Sequence, residues 1–281
     1  MKSILKVNIA LSILLISSAL YSQEFKTPLK VSKGQEFNYQ TDLVADITQT
    51  MGGQEMKVNS TSNATTKYVV NNVLNDGSVE VLTSIWDAKS ITKAPMMDTT
   101  MVFDGKVSPT YKVLISKYGK IISRESVDTT GLKPGSSNFN MENSITSSGL
   151  FCDFPEKDIK VGEKWSKSIS DSITSMGGKL GFVSNTDYTL GAKETIDGQS
   201  LQKITYTSSI EIGGKSKMQG MDLFIEGTGV KNGSMYIDPV SKVVYEDKSN
   251  VELDMTVAVS GQQSMTIPMT QKMAISQKLK K

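Results

Sequence analysis

Apolar and polar residues alternate with a period of two over most of this chain, and that rhythm limits what it can fold into more than any other feature. Val251, Leu253, Met255, Val257 and Val259 share one parity, as do Met265, Ile267, Met269, Met273 and Ile275 in the run that follows. In an extended strand such residues line one face. The same rhythm runs through Phe37, Tyr39, Leu43, Ala45 and Ile47, through Val79, Val81, Thr83 and Ile85, and through Leu180, Phe182, Tyr188 and Leu190. Gly52-Gly53, Asn75-Asp76-Gly77, Gly177-Gly178, Asp197-Gly198 and Ser260-Gly261-Gln262-Gln263 separate the runs. These are the residues that tight hairpin loops require.

Many strands at short spacing, with almost no helical periodicity, predict a mainly β, antiparallel protein. Adjacent strands rotate by roughly −20 to −25°, so strands this long predict a strongly curved sheet or sheets, half-barrel or barrel-like. Further strands are expected at 100–103, 111–115, 120–126, 202–212, 221–227 and 234–237. The Ser, Thr and Asn of residues 59–66 are expected to end the strand that starts near Met56.

The chain also repeats itself. Thr50-Met51-Gly52-Gly53 is echoed by Ser175-Met176-Gly177-Gly178, Thr83-Ser84-Ile85 by Ser208-Ser209-Ile210, and the turn from Ile115 to Ile122 by that from Ile237 to Val244. Val31-Ser-Lys-Gly-Gln-Glu-Phe37 resembles Ile159-Lys-Val-Gly-Glu-Lys-Trp165. Two related halves follow as an expectation: an N-terminal β repeat over 23–127, a Gly/Ser/Asn-rich linker over 128–155 and a C-terminal β repeat over 156–281. At most a short helix is expected in the linker, where Phe139, Asn143 and Ser147 could share a face. The echo predicts that Gly52-Gly53 and Gly177-Gly178 are equivalent hairpin turns.

Residues 1–22 read as a secretory signal, with Lys2 and Lys6 ahead of an apolar stretch from Val7 to Leu20 that is short and serine-broken. Export to a Gram-negative envelope, periplasmic or extracellular, is the expectation, with no transmembrane segment in the mature chain. Loss of the two signal lysines takes the basic count from 31 to 29, against 29 acids. That balance argues against nucleic acid as a partner. Cys152 is the single cysteine, so no intramolecular disulfide can form. Between Phe151 and Phe154 it reads as a buried, inert thiol.

There is no histidine. Imidazole acid/base chemistry, the Ser-His-Asp and Cys-His arrangements, and imidazole zinc sites are therefore excluded. Converging carboxylates remain open to an enzyme, but the acids are scattered singly. Asn185-Thr-Asp187 lacks the acid count and glycine of a calcium loop. Gly213-Gly-Lys-Ser216 has Ser209 where a phosphate-binding loop needs glycine, and reads as a turn. Fifteen methionines suit core packing or an adaptable apolar surface, with Met96-Met97 after Pro95 the expected exposed pair. Trp86 and Trp165 are expected to be core anchors. Asn59-Ser-Thr and Asn63-Ala-Thr match the N-glycosylation pattern. Asp98-Thr-Thr, Asp128-Thr-Thr and Asp171-Ser-Ile resemble the short acceptor motif of a bacterial envelope O-glycosylation system. No residue is assigned to catalysis, to a cofactor or to a metal.

The stretch from Phe154 through Pro155, Ile159, Val161 and Gly162 to Trp165 resembles a family of secreted bacterial β-rich proteins defined as a domain of unknown function. The resemblance implies an envelope location and a β-sheet fold, and no site. The function expected is a non-enzymatic envelope protein that binds an apolar ligand or lipid on a curved sheet. The alternatives are a structural or protein-interaction module with an envelope partner, and an enzyme using converging carboxylates.

Overall fold

The computed structural model describes residues 24–95, 97–130, 149–175, 178–218, 221–260 and 264–280. The signal segment, Met96, residues 131–148 with the short helix expected there, and Met176-Gly177 lie outside them. The fold is all-β and antiparallel. Short β1 (Glu24–Phe25) precedes β2 (Glu36–Met51), β3 (Gln54–Val73), β4 (Val79–Ala94), β5 (Met97–Lys106), β6 (Thr110–Ile115) and β7 (Ile121–Asp128). Short β8 (Ile159–Lys160) precedes β9 (Lys164–Ser175), β10 (Gly178–Ile196), β11 (Gln199–Met218), β12 (Met221–Ile237), β13 (Val244–Ser260) and β14 (Met265–Leu279).

β1 and β8 pair with each other, and the other twelve strands form one sheet ordered β7-β6-β4-β3-β2-β14-β13-β12-β11-β10-β9. β4 gives Val79–Thr83 to β6 and Trp86–Ala94 to β5 along the same edge. The ladder of β14 on β2, with Met273 opposite Ala45, joins the two halves without a break. The sheet is not closed, and β7 and β9 are its ends.

Packing shows how far the sheet curls. Ile210 on β11 shares a core cluster with Leu43 and Ala45 on β2, four places away in the strand order. A flat sheet would hold those strands roughly 19 Å apart at ~4.8 Å per strand. One end of the curl is filled by chain from outside the sheet. Phe25, Cys152, Phe154 and Ile159 pack on Trp165, Leu190, Ile204 and Ile237, and Leu150 and Phe151 pack on Tyr39, Val70, Val79 and Val113. The linker expected over 128–155 is therefore partly core, because Leu150, Phe151, Cys152 and Phe154 are buried against both halves.

Both halves enter the sheet through the same turn. The Gly34 N–H donates to Val70 O at 2.8 Å, and the Gly162 N–H to Leu190 O at 2.7 Å. The return bonds are Val70 N–H to Gln35 O and Leu190 N–H to Glu163 O, at 2.8 and 3.0 Å. Gln35 Oε1 accepts from the Ser32 N–H as Glu163 Oε2 does from the Lys160 N–H. Both glycines have positive φ, +84° and +90°, which L side chains adopt only with strain.

Several expectations are corrected. Gly52-Gly53 does form a two-residue loop between the paired Met51 and Gln54, but Gly178 pairs with Ser175 and belongs to β10. Gly177, the other glycine of that expected turn, lies outside the described residues. Ile85 pairs with Thr66, and the matching place in the second half, opposite Thr186, is held by Ser208; Ile210 lies two residues further along. β3 continues through residues 59–66, because Ser60, Ser62 and Ala64 are small inward-facing residues, Ser60 and Ser62 paired on both sides and Ala64 paired with Thr41 at a bulge of the β3–β4 ladder. β12 is one strand, although Gly227, Gly229 and Gly233 make it look broken. These glycines face inward, and a Cβ at Gly229 would stand 2.3 Å from Leu253 Cδ2. Gly213-Gly214-Lys215-Ser216 lies within β11 and forms no turn.

Candidate functional site

The inward face of the curled sheet is layered from the filled end toward the hairpin tips. The tips, at Gly52-Gly53 and beyond the paired ends of β4–β5, β9–β10, β11–β12 and β13–β14, all lie at the end away from the Gly34 and Gly162 turns. Cross-strand register places Trp165, Tyr188, Tyr206, Gly233, Ser249, Ile275 and Leu43 in one row. Trp165 stacks on Tyr188 with ring centroids 5.1 Å apart, and Tyr188 packs on Tyr206 at 6.0 Å. Phe154 extends this aromatic run to Phe25. Glycine at 233 is what admits Tyr206, since a Cβ there would lie 2.5 Å from its Oη.

A polar lane crosses the sheet at this level. The Tyr206 hydroxyl donates to the Asp247 carboxylate, and the Lys231 ammonium stands 5.5 Å from the Tyr206 ring centroid. Ser208 and Thr186 hydroxyls bond each other at 2.8 Å, and Lys167 pairs with Asp153 at 3.0 Å. Burial pushes the Lys231 ammonium below its ordinary pKa, partly opposed by the Asp247 charge. Burial raises the Tyr206 phenol, and the Asp247 charge adds to it. Asp153 is raised by burial against the pull of Lys167. Cys152 is buried and its thiol is pushed well up, first by burial and then by Asp153. A thiol held protonated and enclosed is a poor nucleophile.

On β13, β14 and β2 the same levels are apolar, where Leu43, Ala45, Val251, Met273 and Ile275 form a cluster with Ile210 and Leu253. Toward the tips the same inward parity stays apolar while cover is lost. Ile47, Ile212, Ile225, Met255, Val257, Ile267 and Met269 are half-buried. The outward parity is mostly charged or polar in the middle of the sheet, with Asp42, Asp46, Glu211, Glu226, Lys248, Glu252 and Lys272 all exposed, interrupted by the exposed Val44 and Val230. A membrane-spanning barrel needs an apolar band on that face. On the outer face of β9, β10 and β11, Lys164, Ser166, Asp187, Thr189, Thr205 and Thr207 line a polar depression, in which the Ser166 hydroxyl donates to Asp187.

The residues singled out in the sequence do not converge. Trp165 is a core anchor, whereas Trp86 lies on the outer face, half-buried under the Lys67 ammonium, because its parity is opposite to that of Ile85. Met273 is buried, Met269 is half-buried and Met265 is exposed. Met97 opens β5, with Met96 outside the described residues. Asp187 points outward, away from the core. Sequence reading missed Lys231 and Asp247, though a signal existed: each is a charge on the parity otherwise held by Ile225, Met235, Ile237, Val251 and Leu253. Among the described residues no cluster of three acids or cysteines could hold a metal ion, and no helix is long and apolar enough to cross a membrane.

No protein-family model and no curated protein sequence matches the chain. Among solved structures, the chain is similar to the translocator domain of the autotransporter NalP from Neisseria meningitidis, at 8% identity and a TM-score of 0.22, over 97% of this chain and 95% of that one. It is also similar to OccK5 (OpdH) of Pseudomonas aeruginosa, at 7% identity and a TM-score of 0.23, over 88% of this chain and 99% of that one. A likeness at these TM-scores carries no argument about function.

Proposed function

We propose that this chain is an exported, non-enzymatic binding protein of the cell envelope that holds an apolar ligand, such as a lipid acyl chain, on the inner face of the sheet near the hairpin tips. One observation carries the reading. Inward positions are sealed at the filled end, yet Ile212, Ile225, Met255, Val257 and Met269 keep an apolar surface with only partial cover at the other. Half-covered apolar area of this kind favours a ligand that removes it from water, at about 25 cal/mol per Å². Methionine adapts to chains of varied shape. The buried titratable groups support the non-enzymatic part, because Asp247, Tyr206 and Lys231 are enclosed and engaged with each other rather than turned to a cleft.

Native mass spectrometry and lipid extraction of protein purified from its own envelope test this. A co-purifying apolar mass is expected, and Met255→Glu should abolish it while leaving the melting temperature within a few degrees. Protein that carries no added mass and takes up no fluorescent fatty acid would sink the reading. A protein-interaction role through the sheet ends is opposed by Arg124 on β7 and Lys167 on β9, which turn charges toward the inner face at both ends. Inward charges on end strands hinder added pairing.

A further inference from the structure

We propose that Thr129 and Ser172 are O-glycosylation sites that blunt the open borders of the sheet. Asp is followed by Ser or Thr at three places in the chain, Asp98-Thr99, Asp128-Thr129 and Asp171-Ser172, and in each a Thr or Ile comes next. The fold carries all three to its borders. Asp98-Thr99 is on β5, Asp128 ends β7 and Asp171-Ser172 is on β9, and these are the strands of the large sheet that each pair with a single neighbour.

Border strands present unpaired backbone groups that template unwanted pairing. The motif aspartates already act on that problem. The Asp171 carboxylate accepts from the Ser172 N–H at 2.7 Å, and the Asp128 carboxylate accepts from the Thr130 N–H at 2.9 Å. Asp128 is further fixed by the Lys106 ammonium at 2.6 Å. The hydroxyl-bearing residues differ in access. Thr129 is exposed, and Ser172, opposite Gly181, is half-exposed on the outer face. Thr99 is half-buried and pairs with Thr92, on the inner parity of Ser90. The two N-glycosylation patterns, by contrast, lie on β3, which is paired on both sides, and Asn59 already donates to Asp46.

The step is a glycosyl transfer from a polyprenyl-diphosphate-linked glycan by an envelope transferase. The Oγ of Thr129 or Ser172 bonds to the anomeric carbon, the bond from that carbon to the diphosphate breaks, the hydroxyl proton passes to a base of the transferase, and the lipid diphosphate leaves. No electron is exchanged. A bulky, solvated group at these positions would stop a second sheet from adding to β7 or β9.

The proposal goes beyond the ligand reading and needs only export, so either can fail alone. Protein purified from its own host is measured by intact mass and by peptide mapping with electron-transfer fragmentation. Glycan masses are expected on Thr129 and Ser172, with Thr99 at least tenfold less occupied. Thr129→Ala and Ser172→Ala should each remove one adduct, and Ser172→Thr should keep it. Unmodified Thr129 and Ser172 in the exported protein would overturn the proposal, as would equal occupancy at Thr99, since the exposed border would then select nothing.

Discussion

The Tyr206 hydroxyl donates to both oxygens of the Asp247 carboxylate, at 2.9 and 3.1 Å, inside a sheet whose other inward residues are mostly apolar. Lys231 supplies the compensating positive charge, and it lies over the same tyrosine ring. Removing one member of a buried pair leaves the other charge uncompensated, which costs about 3–5 kcal/mol, whereas apolar replacement of both is often neutral. Asp247→Leu should therefore destabilise strongly, and Lys231→Met/Asp247→Leu should recover much of the loss. Urea unfolding of the wild type, both single variants and the double variant measures this coupling. Additive losses would show that the two charges do not compensate each other.

Gly233 and Tyr206 form a second coupled pair. An alanine Cβ at 233 would lie 2.5 Å from the tyrosine ring and 2.7 Å from Lys248 O, and the backbone oxygen cannot swing aside. Overpacking of this kind typically costs about 1–3 kcal/mol. Gly233→Ala should lower the urea midpoint, and a Tyr206→Leu background should reduce the penalty without removing it, because the Lys248 contact remains.

These pairs also mark where the sequence was legible and where it was not. Period-two alternation exposed β13 and β14 because one face of each meets the core while the other meets water. It failed at Ser60, Ser62 and Ala64, and again at Gly229 and Gly233, because tight curvature selects small residues on the inner face, and small residues read as loop. Leu150 to Phe154 gave no periodic signal at all. Their burial comes from strands distant in sequence, as the bridge from Phe151 to Val243 illustrates. Lys231 and Asp247 broke parity in plain view, but a charge on a strand reads as solvated until its partner is known.

The pH dependence of stability should carry the mark of Lys242. Burial lowers its pKa from 10.5 to about 8, partly opposed by Asp238, and its ammonium donates to the carbonyls of Pro239 and Val240. A lysine depressed in the folded state binds fewer protons there than when unfolded, so stability rises with pH between the two pKa values. Urea midpoints should climb from pH 8 toward pH 9. Above that the raised Cys152 thiol opposes the lysine, and the raised phenols of Tyr39, Tyr188 and Tyr206 then reverse the slope, since the unfolded chain loses these protons first. Lys242→Gln should flatten the climb between pH 8 and 9, and an unchanged slope would assign it elsewhere, with Lys231 the next group to test.

The two entry turns allow a test of whether the halves unfold together. At both Gly34 and Gly162 a Cβ would meet open space, so the cost of alanine is the positive φ alone, about 1–2 kcal/mol. Equal local costs need not give equal outcomes. In a molecule of two independent lobes, Gly34→Ala would shift one unfolding transition and Gly162→Ala another. Here β14 is zipped to β2 along most of its length, the Tyr39 hydroxyl on β2 donates to Val244 O on β13, and Leu150 and Phe151 pack with both Tyr39 and Val243. Neither half can lose its turn without loosening a core that the other half shares. Both substitutions should move a single transition by similar amounts, with tryptophan emission and far-ultraviolet circular dichroism changing at the same urea concentration. Separation of the two probes in either variant would mean that the β14–β2 ladder parts before the rest of the sheet unfolds.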